Sequence, residues 1–197
     1  MKRILDLVIV LISIIIFLLP IILIFIILKF FYKTSPIYIS RRIGKNNKIF
    51  LMPKFRSMTE NAPQVATNKI SAKYITKFGK FLRKSSLDEL PQLFSVLLGV
   101  MSFVGPRPAL YNQKKLILLR TKKNIHKLKP GITGWAQING RNELTWADKF
   151  EQDLYYVENI SLKLDMNIFW KTIKNVWYRT GISGEGTETM VPFSGNN

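Results

Sequence analysis

From Leu7 to Leu28 the chain is an almost unbroken run of Ile, Leu, Val and Phe, which only Ser13 and Pro20 interrupt. A helix needs about 20 consecutive apolar residues to cross the core of a bilayer, so this run is long enough to do so. It is longer than the apolar core of a secretory signal peptide, and no small-residue cleavage site follows it. The sequence therefore predicts a membrane segment at residues 1–33 and a domain that folds beside it.

Two features of this segment bear on its path through the membrane. Pro20 removes a backbone hydrogen bond in the middle of the run and kinks or breaks a helix there. Basic residues flank both ends, with Lys2 and Arg3 before the run and six Lys or Arg from Lys29 to Lys48 after it. Because basic flanks favour the cytoplasmic face, both ends are expected in the cytoplasm. The residues alone leave two options equally open, a re-entrant helix and a spanning helix with a proline kink.

The charge of the chain points to an anionic partner. The formal net charge is +18, although 47 % of the residues are hydrophobic. Nucleic acid, anionic lipid and a phosphorylated substrate each fit such a charge. The chain has no cysteine and one histidine, which excludes disulfides, thiolate metal sites and zinc sites built on several histidines.

Asp88 and Glu89 are adjacent carboxylates in a basic stretch of the chain. No other acidic residue lies between Glu60 and Glu143, whereas fifteen Lys and Arg fall in that interval. The pair belongs either to a large ion-pair network or to a site where cations hold phosphates while carboxylates bind a metal or attack phosphorus. Ser86 followed by Glu89 also matches a helix capping box, so a purely structural role for Glu89 stays open. A later helix start, with Asp88 as the cap, fits Pro91 better.

The rest of the pattern predicts a small, mainly helical domain with short strands. Residues 37–55 read as extended segments around a turn, and residues 87–98 read as a helix. Amphipathic helices are expected around Trp146–Val157 and Leu164–Tyr178. Lysines at helical spacing between residues 69 and 84 form a basic face that suits either solvent or an anionic membrane surface.

Two loops have the composition of phosphate-binding segments. Arg107 stands between Pro106 and Pro108, and a stiff backbone under a planar guanidinium suits oxyanion recognition. The glycine-rich segment Lys129–Asn142 permits close backbone approach and offers side-chain donors, but it fits neither a P-loop nor a dinucleotide fingerprint. Each loop is a weak signal by itself.

Six short blocks, taken in order, carry a resemblance to a known family. They are a KR-x-x-D start before the proline-broken segment, PKFRSM (Pro53–Met58), RKSSLDELPQL (Arg83–Leu93), MSFVGPRP (Met101–Pro108), KPGITGWAQINGR (Lys129–Arg141) and the LD of Leu164 and Asp165. Together they resemble the small monotopic phosphoglycosyl transferases, the sugar transferases that start bacterial glycoconjugate assembly. The resemblance covers nearly the whole chain. One departure is Leu19, where many members place Ser before the helix-breaking proline.

The resemblance implies an α+β, mainly helical fold and a monotopic membrane protein. It implies a re-entrant helix at residues 1–33 that breaks at Pro20, a catalytic domain at residues 34–180 and a C-terminal tail at residues 181–197. Interfacial amphipathic helices would hold the catalytic domain on anionic membrane lipid. The implied location is the cytoplasmic face of the bacterial inner membrane, with both termini in the cytoplasm and a homodimer possible.

The family reaction transfers a sugar 1-phosphate from a UDP-sugar to undecaprenyl phosphate, releases UMP and uses Mg²⁺. The resemblance implies that Asp88 attacks the β-phosphorus and forms an aspartyl phosphosugar intermediate, which the lipid phosphate then displaces. Glu89 would bind the metal or activate the lipid phosphate, so both carboxylates are candidate Mg²⁺ ligands. The implied phosphate-binding and supporting residues are Lys54, Arg56, Arg83, Arg107, Gln137, Arg141 and Asp165.

The sugar and the function class retain alternatives. The C-terminal tail resembles members that handle N-acetylated, amino-modified sugars, which favours an N-acetylhexosamine or diacetamido sugar over galactose or glucose. A membrane-anchored nucleic-acid-binding protein would also explain the charge, but it leaves the acidic pair unexplained and lacks a known reader motif, so no nucleic acid is expected. A catalytically silent scaffold would retain the fold but lack turnover, and the intact set of Asp88, Glu89, Arg107 and Arg141 argues against it.

Overall fold

The computed structural model describes residues 1–59, 61–62, 74–140 and 144–178. In these residues the chain forms a long N-terminal helix, two small sheets and a set of shorter helices. The α-helices are α1 Lys2–Phe31, α2 Lys77–Lys84, α3 Gln92–Leu97, α4 Lys114–Lys122, α5 Trp135–Ile138, α6 Trp146–Glu158 and α7 Leu162–Tyr178. The strands are β1 Ile37–Ile43, β2 Ile49–Phe55, β3 Ser102–Val104 and β4 Gly131–Thr133. The predicted α+β, mainly helical fold is confirmed.

Helix α1 contains the apolar run and continues through Pro20. By length and composition it can cross a membrane, and it is the one helix in the described part of the chain that can. Its middle is exposed, with Ile15 76 % and Ile16 63 % accessible. The Ser13 hydroxyl donates to the Ile9 carbonyl, a backbone contact that often bends helices. The re-entrant path stays a prediction.

Strands β1 and β2 form the predicted antiparallel hairpin. Their register places Ile37 opposite Phe55 and Ile43 opposite Ile49. Asn46 and Asn47 in the turn both have positive φ, a conformation that asparagine tolerates better than most residues. The hairpin presents Lys54 near the end of β2.

The predicted helix over residues 87–98 is correct only in its second half. Residues Leu87–Glu89 form one turn of 3₁₀-helix, and α3 begins at Gln92. Proline is tolerated in the first turn of a helix but not further in, so Pro91 fixes the helix start just after itself. Ser86 has φ 57°, so the chain also changes direction just before the acidic pair. The two carboxylates therefore lie in a tight turn ahead of α3.

Parallel strands β3 and β4 join the loops around Arg107 to those after Pro130. Helices α6 and α7 occur where the amphipathic pattern predicted them, and Thr145 with Asp148 forms a capping box at the start of α6. The basic face predicted over residues 69–84 is described only from Tyr74, and α2 begins at Lys77. The tail after Tyr178 lies outside the described residues.

Helix α1 packs against the domain near both of its ends. Val10 is buried against Met52 and Val96, and Leu28 is buried against Phe55 and Leu82. Burying an aliphatic side chain of this kind contributes about 1.5–3 kcal/mol. A third cluster of Val104, Ile138, Tyr156 and Ile168 joins β3 to α5, α6 and α7.

Polar contacts also fix the first turns of α1. The buried Asp6 carboxylate accepts from the Ser102 hydroxyl at 2.9 and 2.8 Å and from the Phe103 amide at 2.9 Å. The Arg3 guanidinium donates to the carbonyls of Val96 (2.6 Å) and Leu97 (2.9 Å) at the end of α3. The charged start of the apolar helix is thus bonded to the domain.

Candidate active site

Glu89 is held by two cations from different elements. Lys54 Nζ on β2 lies 2.6 Å from Glu89 Oε1. Arg107 reaches the same carboxylate through Nη2 at 2.5 Å from Oε1 and through Nη1 at 3.3 Å from Oε2. The Ser86 side chain makes no capping hydrogen bond. The capping-box interpretation of Glu89 is therefore wrong, and its carboxylate instead joins β2 to the Arg107 loop.

These contacts set the charge of Glu89. Burial alone would raise the pKa of this carboxyl, but the charges and hydrogen bonds of Arg107 and Lys54 outweigh burial and hold the pKa well below its ordinary value. Glu89 in turn raises the pKa of Arg107. The three groups thus form a fixed ion cluster in which Arg107 remains 43 % exposed and Glu89 12 %. Arg107 can therefore face an incoming anion.

Asp88 has a different environment from its neighbour. Its side chain is buried, and no donor among the described residues makes a hydrogen bond to its carboxylate. Burial raises the pKa of Asp88, although the charges of Lys54 and Arg83 oppose this effect. A poorly solvated carboxylate is more nucleophilic than a fully hydrated one, and the cations beside it can bind the phosphate that it attacks.

Arg83 approaches this pair from α2. Its Nε donates to the Ser57 hydroxyl at 2.8 Å, and its charge lowers the pKa of Asp88. Helix α2 lies very close to the chain at Ser57, since a Cβ on Gly79 would come within 1.9 Å of the Ser57 carbonyl oxygen. This close approach needs glycine. It brings Arg83 near Asp88, on which the charge of Lys54 also acts.

Three of the predicted phosphate-binding cations therefore meet at the acidic pair, and other candidates do not. Arg56 donates to the Ser35 carbonyl and lies over the Tyr32 ring at 5.9 Å. Asp165 accepts from Lys2 at 2.6 Å and from Tyr156 at 2.7 Å, in the packing between α1, α6 and α7. Its predicted support of the phosphate site thus has no direct contact behind it.

Two further candidates give less information. Gln137 lies on α5, and its side-chain amide is buried without a hydrogen-bond partner among the described residues. Such a group is poised to bond a ligand or a water molecule. Arg141 lies outside the described residues.

Comparison with known proteins decides the family. The sequence profile of the bacterial sugar transferases matches residues 1–179. The chain belongs to the bacterial sugar transferase family. It is therefore an enzyme of the transferase class, as the sequence blocks predicted.

Relatives of this bacterial sugar transferase differ in length. An uncharacterized sugar transferase EpsL of Bacillus subtilis (strain 168) is 42 % identical over 82 % of this chain and 80 % of its own length. A UDP-glucose:undecaprenyl-phosphate glucose-1-phosphate transferase of Klebsiella pneumoniae is 44 % identical over 72 % of this chain. A UDP-N-acetylgalactosamine-undecaprenyl-phosphate N-acetylgalactosaminephosphotransferase of Aeromonas hydrophila is 37 % identical over 71 % of this chain. The chain spans about a third of these two longer proteins, 32 % and 34 %.

Sequence reasoning missed three residues near the site of this transferase. Arg42 on β1 is half-buried near Arg107, and desolvation together with the Arg107 charge lowers its pKa to about 10. Arg120 on α4 pairs with the buried Asp153 on α6. None of these residues stands in a motif that the sequence analysis recognised, and their roles depend on contacts between distant parts of the chain.

The carboxylate oxygens of the acidic pair are of the type that Mg²⁺ binds. Mg²⁺ prefers oxygen ligands and is usually held by one or two carboxylates together with substrate phosphates. Asp88 supplies a carboxylate without a hydrogen-bond donor in the described part of the chain, whereas Glu89 is already bonded to Lys54 and Arg107. The described residues contain no group of three or more acidic or histidine side chains for a metal. A magnesium site here would thus depend on Asp88 and on the substrate.

Proposed function

We propose that this chain transfers a sugar 1-phosphate from a UDP-sugar to undecaprenyl phosphate and releases UMP. The observation that carries the proposal is the contrast within the acidic pair. Glu89 is neutralised by Lys54 and Arg107. Asp88 is buried close to cations, and no described residue donates a hydrogen bond to its carboxylate. Such a pair suits a nucleophile next to a phosphate-binding cluster. A nucleic-acid reader would have no use for it.

In the first step, an Asp88 carboxylate oxygen attacks the β-phosphorus of the UDP-sugar. A bond forms between this oxygen and phosphorus, and the bond from the β-phosphorus to the oxygen that bridges the two phosphates breaks. UMP leaves with that oxygen, and the sugar phosphate stays on Asp88 as an acyl phosphate. Arg107 and Arg83 are positioned to stabilise the charge on the phosphate oxygens.

In the second step, an oxygen of undecaprenyl phosphate attacks the phosphorus of the acyl phosphate. The bond from phosphorus to Asp88 breaks, and the carboxylate is regenerated. Because the attacking group is already anionic at neutral pH, this step needs positive charge more than it needs a general base. Lys54 and Arg107, fixed by Glu89, supply that charge.

Magnesium is proposed as the cofactor, with Asp88 and then Glu89 as its protein ligands. When bound, Mg²⁺ would neutralise the pyrophosphate and orient it for attack. The residues of the chain retain their own tasks in either case. Glu89 fixes the two cations, and burial maintains the nucleophilicity of Asp88.

For the sugar, we propose an N-acetylated hexosamine or a diacetamido sugar, with galactose or glucose as the alternative. Relatives named for glucose and for N-acetylgalactosamine are 44 % and 37 % identical, so identity does not favour one of them strongly. The proposal follows from the resemblance of the C-terminal tail alone.

We also propose that α1 enters the membrane and returns to the cytoplasmic face of the bacterial inner membrane. Three observations support this path. Both flanks of the helix are basic, Pro20 lies in its middle, and its two ends pack on one domain through Val10 and Leu28. Exposed Trp170 and Trp177 on α7 suit an interfacial helix on anionic lipid.

The test is UMP release from a panel of UDP-sugars by purified protein with undecaprenyl phosphate and Mg²⁺ in detergent. We expect release with one sugar, loss of release in Asp88→Asn and a phosphosugar adduct on the wild-type protein by intact mass. Wild-type activity retained in Asp88→Asn would refute the covalent step. Absence of UMP with every sugar, together with absence of an adduct, would refute the transferase proposal.

A further inference from the structure

The five residues Gly105–Ala109, here the Arg107 turn, have an unusual set of backbone contacts. The Gly105 amide donates to the Thr133 carbonyl at 2.8 Å, and the Pro106 carbonyl accepts from the Gly131 amide at 3.0 Å. A Cβ on Gly131 would lie 2.1 Å from the Gly105 nitrogen, so the two backbones touch. The start of the turn is therefore fixed to β4.

Two guanidinium groups fasten the rest of the turn. Arg120 Nη1 on α4 donates to the Arg107 carbonyl at 2.7 Å. Arg42 Nη1 on β1 donates to the Pro108 carbonyl at 3.2 Å, and the adjacent Ile43 amide donates to the Ala109 carbonyl at 3.0 Å. Four consecutive carbonyls, from Pro106 to Ala109, are thus bonded to three different elements.

Packing and polar contacts together hold the turn. Pro106, Pro108 and Ala109 are buried, whereas the Arg107 side chain is exposed and the turn borders a small open cleft. The polar contacts therefore fix the backbone beneath a side chain that packing does not restrain. Each guanidinium is itself anchored, Arg120 by the buried Asp153 and Arg42 by the buried Ser40 hydroxyl.

We propose that Arg42 and Arg120 are positioning residues for the phosphate-binding guanidinium of Arg107. They hold the backbone on either side of its peptide unit, so the Arg107 side chain starts from a fixed Cα. The inference rests on the proposed function, because it takes Arg107 as a residue that binds phosphate. A misplacement of about 1 Å in such a group can reduce catalysis by on the order of 100-fold.

The test is a double-mutant cycle between each positioning residue and Arg107. Arg120→Lys retains a charge for Asp153, but one ammonium cannot also reproduce the fork that reaches the Arg107 carbonyl. Arg42→Lys likewise loses the hydrogen bond either to the Ser40 hydroxyl or to the Pro108 carbonyl. The matched control is Arg41→Lys, the same change at the exposed neighbour of Arg42 on β1. The readouts are kcat and KM for UMP release, the Kd for UDP and the melting temperature.

We expect Arg120→Lys and Arg42→Lys each to lower kcat/KM by on the order of 10- to 100-fold and to weaken UDP binding. In an Arg107→Lys background, the same changes should alter both values less than about 3-fold, because the guanidinium that they position is gone. Equal losses in both backgrounds would overturn the inference and assign the two arginines a general structural role. A wild-type protein that binds UDP but releases no UMP would refute the proposed function. The double-mutant cycle measured by the Kd for UDP would still decide whether Arg42 and Arg120 position Arg107.

Discussion

At the scale of single residues, Asp88 and Glu89 show how two adjacent carboxylates take opposite characters. Both are largely buried, yet only Glu89 reaches Lys54 and Arg107. Its charge is stabilised and its pKa lowered, whereas burial without a donor raises the pKa of Asp88. The 3₁₀ turn Leu87–Glu89 produces this difference, because consecutive side chains on such a tight turn point about 120° apart.

Isosteric amides at these two positions should change stability in opposite directions. Asp88→Asn removes a charge that is poorly solvated in the folded state, so we expect the free energy of unfolding to rise by about 0.5–2 kcal/mol. Glu89→Gln leaves Lys54 and Arg107 without their counter-charge, so we expect a loss of about 1–3 kcal/mol. Thermal unfolding in detergent measures both. A destabilised Asp88→Asn would contradict the assigned environment of Asp88.

The pH dependence of the two groups follows from the same shifts. The folded pKa of Glu89 is depressed, so its contribution to stability is present above the ordinary value of 4.5 and is lost as pH falls through the folded pKa. The folded pKa of Asp88 is raised, so the attacking carboxylate forms only above the ordinary value of 3.8. We expect kcat/KM to rise with pH through an acidic limb that lies above 3.8.

Measuring the pH profile of kcat/KM tests this expectation, with the melting temperature followed over the same range. The acidic limb should appear while the protein is still folded. If the acidic limb coincides with unfolding, the loss of activity would be caused by protonation of Glu89 and loss of its ion cluster, and not by protonation of Asp88.

The acidic pair and three of its cations were predictable from sequence because they stand in recognisable blocks. Arg42, Arg120 and Asp153 were not, since Arg42 and Arg120 contact the backbone of the turn and Asp153 acts by pairing with Arg120. Local charge patterns do not encode such contacts. Asp165 shows the converse, because it lies in a recognised block but contacts Lys2 and Tyr156.

At the scale of elements, periodicity predicted the hairpin and the helices α6 and α7 well. The apolar alternation and the turn residues of β1 and β2 are local signals, as is the capping box of α6. The start of α3 was missed because a capping pattern at Ser86 competed with Pro91, and the proline decided the register. The short strands β3 and β4 depend on pairing between distant segments.

Pro20→Ala tests the path of α1. Alanine restores the missing amide donor, so we expect the segment to straighten and its N-terminus to shift toward the opposite face of the membrane. Leu19→Ala at the exposed neighbouring position is the matched control. The chain has no cysteine, so a single Ile4→Cys label reports the N-terminus without background. Unchanged cytoplasmic labelling in Pro20→Ala would count against a path set by the proline.

At the scale of the whole molecule, the membrane segment and the domain form one packed unit. Lys2, Arg3 and Asp6 are charges at the edge of an apolar helix, and each bonds to a different part of the domain. They are therefore internal contacts of the fold as well as flanking charges. A domain that holds both ends of α1 favours a single face for both ends, whereas the residues alone left a re-entrant and a spanning path equally open.

A single cytoplasmic face for both ends of α1 can be tested by chemical labelling. Ile4 is 67 % accessible near the start of α1, and Ser35 is exposed just after its end. We expect cysteines at these two positions to react with a membrane-impermeant maleimide from the cytoplasmic side alone, each in an otherwise cysteine-free chain. Inverted and right-side-out vesicles provide the two sides. Labelling of the two positions from opposite sides would show that α1 spans the bilayer. The contacts of Lys2, Arg3 and Asp6 with the domain would then have to break in the membrane.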